Sequence, residues 1–216
     1  VIVLALDTAL SATAVAVVAG DEVVARLVEP MERGHQERLA GLVRDAMGEA
    51  RLAFDRLDRI GVTVGPGSFT GVRVGLAFAK GLALALGIPC VGVGTLAALA
   101  ASASALNCGR VAAAIDGRRG QVYLQLFADG EALTSPEALS HDDAARRIAA
   151  SGAERLLFAG AEAIAAFADL KVERVSQADP AAVARLAALA PPPLAPPAPL
   201  YLRAPDAKTI AERAAG

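Results

Sequence analysis

The chain has 216 residues, 55% of them apolar and 20% charged, with a formal net charge of −2 and a pI near 5.8. That length supports one large core or two small ones, and the charge argues against the broad basic surface that an independent nucleic-acid binder usually needs. Two cysteines, Cys90 and Cys108, without a CxxC pair, exclude a disulfide scaffold and fit buried, reduced thiols.

Val1 to Asp7 (VIVLALD) lacks a basic leader and runs into an acid, so it is expected as a core strand and not a signal peptide. Strands follow at Thr13–Ala19 and Glu22–Glu29, joined by the Gly20-Asp21 turn. From Gln36 to Ala50, Leu39, Leu42, Val43, Ala46 and Met47 recur at helical spacing, giving an amphipathic helix. A buried strand at Arg59–Val64 leads through a glycine-rich turn into a helix ending at Leu86, before Gly87 and Pro89. Arg73 and Lys80 interrupt that helix, and no membrane span is expected. A short strand near Val91 and an alanine-rich helix at Leu96–Leu106 close the first half.

The second half restarts in the same way. Val111–Asp116 (VAAAID) echoes Ile2–Asp7 (IVLALD), and each is followed by a polar turn, an apolar strand and a Gly/Asp turn, Gly20-Asp21 in one and Asp129-Gly130 in the other. An internal duplication explains both. Beyond it a helix is expected at Asp142–Ala150 and a strand at Arg155–Ala159, with helical pieces at Glu162–Phe167 and Ala181–Leu189. Pro191–Pro199 (PPPLAPPAP) holds six of the twelve prolines and is expected as an extended connector, followed by a tail with a short helix. The domain expectation is therefore an N-terminal α/β subdomain (1–106), a C-terminal one (107–190), and a connector with tail (191–216).

The turn GPGSFTG, Gly65–Gly71, can be read in three ways. A Walker loop needs Lys after its last glycine, whereas Lys80 lies deep in the helix. A dinucleotide loop needs an acid about 20 residues on, and no Asp or Glu occurs between Arg59 and Ile115. The remaining reading is a tight strand-to-helix turn, capped by Ser68 or Thr70, opening a helix with the small-residue stripe Gly71, Gly75, Ala79 and Ala83. That stripe predicts close docking of another backbone, within the chain or between chains.

Taken together, ALDT (Ala5–Thr8), RGHQERL (Arg33–Leu39), GPGSFTGVRVGLAFAKGLA (Gly65–Ala83), AIDGRRGQVY (Ala114–Tyr123) and PLYLR (Pro199–Arg203) resemble the TsaB (YeaZ) family, the partner proteins of TsaD in bacterial synthesis of threonylcarbamoyladenosine on tRNA. The likeness spans nearly the whole chain; IDGR at Ile115–Arg118 departs from the family's usual IDAR. The resemblance implies an α/β fold of duplicated actin-like, ribonuclease H-like ATPase-type subdomains, each opening with a β-hairpin. It also implies a cytoplasmic, non-catalytic subunit that binds and activates a TsaD-type catalytic subunit. That subunit transfers threonylcarbamoyl to the adenosine next to the anticodon of tRNAs reading codons that start with A. Further implied partners are a TsaE-type ATPase, a second copy of the chain when TsaD is absent, and tRNA through the complex alone.

The interface expected from the two helices is Leu39, Leu42, Val43, Ala46, Met47, Gly71, Gly75, Phe78, Ala79 and Leu82, so that a bulky residue at Gly75 would block association and spare the fold. The hairpin turns make Asp7, Thr8, Ser11, Asp116 and Arg118 candidates for nucleotide or metal contact, against the plainer reading of relic turns. No cofactor is expected to be required by this chain, with ATP or ADP and magnesium placed at a partner interface. No catalytic residue and no resident metal are expected: neither His35 nor His141 has a second histidine four residues on, as the HxxxH metal site of TsaD requires. His35 is expected to order the first helix end and His141 to be exposed. An ATPase or phosphotransferase is the alternative reading. A glycoprotease built on Ser68, His35 and Asp7 or Asp116 is a weaker one, since PGSFT lacks the GxSxG elbow.

Overall fold

The computed structural model describes residues 1–31, 33–104, 109–160, 167 and 171–203. Of the expected helix at Glu162–Phe167 only Phe167 falls among them, and the expected tail helix and Cys108 lie outside them.

Strand β1 (Ile2–Asp7) is apolar at almost every position because both its faces are covered. Leu4 and Leu6 join one core, while Val3 and Ala5 join another on the opposite face. It is the middle strand of a five-stranded sheet ordered β3-β2-β1-β4-β5, with β2 at Ala12–Ala19, β3 at Glu22–Pro30, β4 at Arg59–Thr63 and β5 at Cys90–Val93. β1, β2 and β3 form an antiparallel meander, and β4 and β5 run parallel to β1. Helices α1 (His35–Ala50) and α2 (Phe69–Leu86) cover one face.

The second sheet repeats this plan. Its order is β11-β10-β6-β7-β8, built from β6 (Arg110–Arg118), β7 (Gln121–Ala128), β8 (Glu131–Ala132), β10 (Arg155–Ala159) and β11 (Lys171–Val175). β10 and β11 run parallel to β6 as β4 and β5 run parallel to β1. β9 (Glu137–Ser140) pairs with the free part of β7, and α4 (His141–Ser151) packs on β7 and β9. At the Asp129-Gly130 turn both residues have positive φ, 50° and 85°, as a two-residue hairpin turn demands. The duplication read from the sequence is therefore a duplication of topology.

The division at residue 106 follows the strands but not the helices. α3 (Thr95–Ser104) packs on β6 and β7 of the second sheet, while α5 (Pro180–Leu189) packs on β1, β2 and β4 of the first. The two helices also touch each other, and Leu96, Leu99, Val183 and Ala187 share one core with Val3, Ile115 and Phe127. Gly61 on β4 permits this contact, because a Cβ there would lie 2.7 Å from Ala187 Cβ. β8, β9 and β11, absent from the expectation, are short or solvent-facing: the burial of β11 is exposed at four of five positions, so its sequence KVERV carries no apolar alternation. The proline-rich connector crosses β5, where Pro197 lies against Gly92, and Leu200 N–H then donates to Val64 O at 2.7 Å.

Candidate functional site

An open cleft of about 1360 Å³ lies between the lobes. One wall holds Ser11, the segment Arg33–Glu37 and the start of α2 at Ser68–Thr70; the other holds the end of β6 at Asp116–Arg118 and the end of β11. Ser68 caps α2 by accepting from Gly71 N–H at 3.2 Å, which decides between the two expected caps.

The five hairpin-turn candidates separate into two groups. Asp7 and Thr8 are buried, at 0% and 1% exposure. Asp7 Oδ1 accepts from Ala9 N–H at 2.9 Å and from the Thr63 hydroxyl at 2.7 Å, and the Thr8 hydroxyl donates to Gly71 O at 2.7 Å. The glycine-rich turn sits directly on them: a Cβ on Gly71 would lie 1.9 Å from Thr8 O, and one on Gly67 would lie 2.3 Å from Ala9 O. The first hairpin turn is thus filled by the chain's own backbone, which corrects its assignment as a nucleotide or metal contact at Asp7 and Thr8. Ser11, Asp116 and Arg118 do line the cleft. Asp116 Oδ1 accepts from Arg118 N–H at 2.8 Å, and Arg118 is held at φ 60°.

The expected partner interface needs a larger correction. Leu39, Leu42, Val43, Ala46, Met47 and Ala79 are at most 4% exposed and form the core under the first sheet. Gly71 and Gly75 are buried against β1, a Cβ on Gly75 lying 2.5 Å from Thr8 Oγ1. Phe78 and Leu82 are half-buried against the same core. The small-residue stripe docks α2 on its own sheet, so a bulky Gly75 variant would damage the fold itself. The outward face of the two helices is different: Gly41 and Gly48 on α1, and Phe69, Arg73, Ala77, Gly81 and Leu84 on α2. Phe69 packs on Tyr201 with ring centroids 5.1 Å apart, and the Arg73 guanidinium lies 3.6 Å from the Phe69 centroid. By length and composition α2 could cross a membrane, but here it packs along β4 and β1.

Histidine placement follows from polar burial. His35 is 5% exposed at the start of α1, with Nδ1 2.7 Å from the Thr13 hydroxyl. Burial lowers its pKa, opposed by the nearby Asp7 charge. His141 is half-buried with Nε2 inaccessible, not exposed as expected. The Ser68, His35 and Asp7 side chains each bond to a different partner, so they form no relay. Cys90 is buried and its thiol pKa is pushed up to about 11 by burial, against a small lowering by Lys80, which keeps it protonated and unreactive. Arg33, Arg174, Arg203 and Tyr123 also line the cleft. Sequence reasoning missed them because they lie on four separate segments.

The chain matches, over residues 24–193, the family model described as TsaD: tRNA N6-adenosine threonylcarbamoyltransferase. It is 40% identical over 122 residues to the tRNA threonylcarbamoyladenosine biosynthesis protein TsaB of Escherichia coli, covering 56% of this chain and 52% of that protein. A solved structure titled YeaZ from Pseudomonas aeruginosa superposes with a TM-score of 0.74 at 31% identity, covering 87% of this chain and 90% of that one. The chain belongs to the TsaB (YeaZ) family. An uncharacterized protein of Mycobacterium tuberculosis is 36% identical over 211 residues, 97% of this chain and 95% of its own length. The aligned region spans about half the length of the TsaB proteins that the chain matches. A polyphosphate/ATP-glucomannokinase of Arthrobacter, at a TM-score of 0.50, 15% identity, and covering 87% of this chain and 98% of its own, shares the fold alone. The architecture of this TsaB-family chain is the duplicated, actin-like and sugar-kinase-type α/β fold.

Proposed function

We propose that this chain is the non-catalytic subunit that binds and activates a TsaD-type threonylcarbamoyltransferase acting on the adenosine next to the anticodon of tRNAs reading codons that start with A. The observation that carries the reading is the outward face of α1 and α2. Gly41, Gly48 and Gly81 lie within helices, and a Cβ on any of them would meet nothing within 4 Å. A helical glycine costs about 1 kcal/mol against alanine. No contact within the chain demands that cost, whereas a partner helix approaching closely would. TsaB relatives are named for threonylcarbamoyladenosine biosynthesis, and the filled first turn supports a role without phosphoryl transfer. In this reading a second copy occupies the same face when the partner is absent. A TsaE-type ATPase and tRNA join through the complex, ATP or ADP with magnesium sits at the partner interface, and the setting is cytoplasmic.

The test uses two substitutions at one position. Gly81→Ala is expected to raise the melting temperature of the isolated chain by a few degrees, about 1 kcal/mol. Gly81→Leu is expected to leave the chain folded and to weaken its affinity for the TsaD-type subunit by about tenfold or more. Unchanged affinity in Gly81→Leu would overturn the assignment of this face.

A further inference from the structure

The chain as a whole is acidic, with a formal net charge of −2, yet four arginines (Arg33, Arg118, Arg174 and Arg203) line the interlobe cleft against two carboxylates, Glu37 and Asp116. They come from the β3–α1 connection, the end of β6, β11 and the strap formed by the connector after α5, residues 191–203. Six arginines elsewhere on the surface are ion-paired: Arg26 with Asp179, Arg38 with Glu29, Arg44 with Asp45, Arg146 with Asp143, Arg147 with Glu137 and Arg155 with Glu173. Arg33, Arg118 and Arg174 are exposed and enter no ion pair among the described residues. Arg203 reaches from the strap toward Gly117 O and Gln121 Oε1, each at 3.4 Å.

Like charges directed at one space repel, and a cleft wall of low dielectric strengthens that repulsion. An anion relieves it, and a planar guanidinium matches phosphate oxygens two at a time. The start of α2 opens into the same cleft and adds the positive end of an 18-residue helix. Three further features bear on the ligand. The cleft is larger than the few hundred Å³ of a small ligand pocket. The first hairpin turn is closed by Gly67 and Gly71. No group of three or more metal-ligating side chains occurs among the described residues.

We propose that this cleft binds a phosphate-bearing anion carrying at least two phosphate groups, held directly by Arg33, Arg118 and Arg174 without a bridging metal. The inference goes beyond the pairing with a catalytic subunit and does not depend on it. The shared chemistry is the linked phosphate, which a small polyphosphate or the backbone of single-stranded RNA could supply.

The test is calorimetric titration of the full chain, in the presence of a metal chelator, with pyrophosphate, with ATP and with a short single-stranded RNA. Binding of at least one of them is expected, weakening as salt rises from about 50 to 200 mM. The double variant Arg33→Ala/Arg174→Ala is expected to lose about tenfold or more in affinity. The control Arg44→Ala/Arg146→Ala, with the same change in charge on other faces, is expected to bind like the parent. Thermal melts of both variants confirm that the exposed substitutions leave the fold intact. Tight pyrophosphate with weak RNA identifies the small anion, and the reverse identifies the phosphodiester backbone. Absence of binding in all three titrations, equal losses in the two variants, or unchanged affinity in the cleft variant would each overturn the proposal.

Discussion

Asp7 is the one buried carboxylate among the described residues. Its Oδ1 is tied to Ala9 and Thr63, while Oδ2 has no partner. Burial raises its pKa, opposed by those hydrogen bonds, by the Ala178 backbone and by the His35 charge. A carboxyl that holds its proton more tightly when folded loses stability as pH rises above its unfolded pKa, and the loss is complete above its folded pKa. His35 runs the other way: its lowered folded pKa removes stability as pH falls below the ordinary histidine value. Asp7→Asn keeps an acceptor for Ala9 and Thr63 and removes the buried ionisable group. It is expected to melt above the parent at pH 8, by an order of 1 kcal/mol, with the gap closing toward pH 4. Melting curves across that range check the sign, and a gap that widened on acidification would count against a carboxyl whose pKa is raised by burial. The ALDT motif is legible in the sequence, but the burial of Asp7 and Thr8 beneath the glycine-rich turn is not. Only packing shows that Gly67 and Gly71 bring the turn's own backbone to where a ligand would sit.

At the scale of elements, most strands and helices follow from apolar runs and caps. β10 appears at Arg155–Ala159 as read, and the α2 boundaries follow from Ser68 and Gly87. Amphipathicity alone could not say which side of α2 meets a partner. The side with the smallest residues lies against β1 because the sheet itself demands the close approach. The crossing of α5 onto the first sheet was likewise illegible, since its apolar face fits either lobe. Besides that packing, Arg59 Nη1 donates to Ala187 O at 2.8 Å, Ala188 O at 3.2 Å and Ala190 O at 2.9 Å, closing the carbonyl end of α5. Arg59→Met keeps the apolar stem and removes the cap. A loss of about 2 kcal/mol is expected, read as a lower denaturant midpoint with faster hydrogen exchange at the end of α5. Unchanged exchange there would mean that α5 is held by apolar packing alone.

Across the whole molecule the strap after α5 joins what the two sheets leave separate. Leu200 bonds to Val64, the Tyr201 hydroxyl accepts from Arg73 Nε at 2.8 Å, and Arg203 reaches the second lobe at Gly117. Ending the chain at Ala190 is expected to lower unfolding free energy by about 2–4 kcal/mol, measured by chemical denaturation. A truncated chain as stable as the parent would show that the strap only lies on the surface. By itself the sequence determined the repeated hairpins, the strands at Arg59–Val64, near Val91 and at Arg155–Ala159, the turn at Gly65–Gly71 and the family, because periodicity, turn residues and motifs are local. Tertiary structure alone decided that Gly67, Gly71 and Gly75 serve the chain's own packing, that α3 and α5 exchange lobes, and that arginines from four segments face one cleft. Those outcomes depend on which apolar face finds which sheet and on how distant segments meet, and no local pattern encodes either.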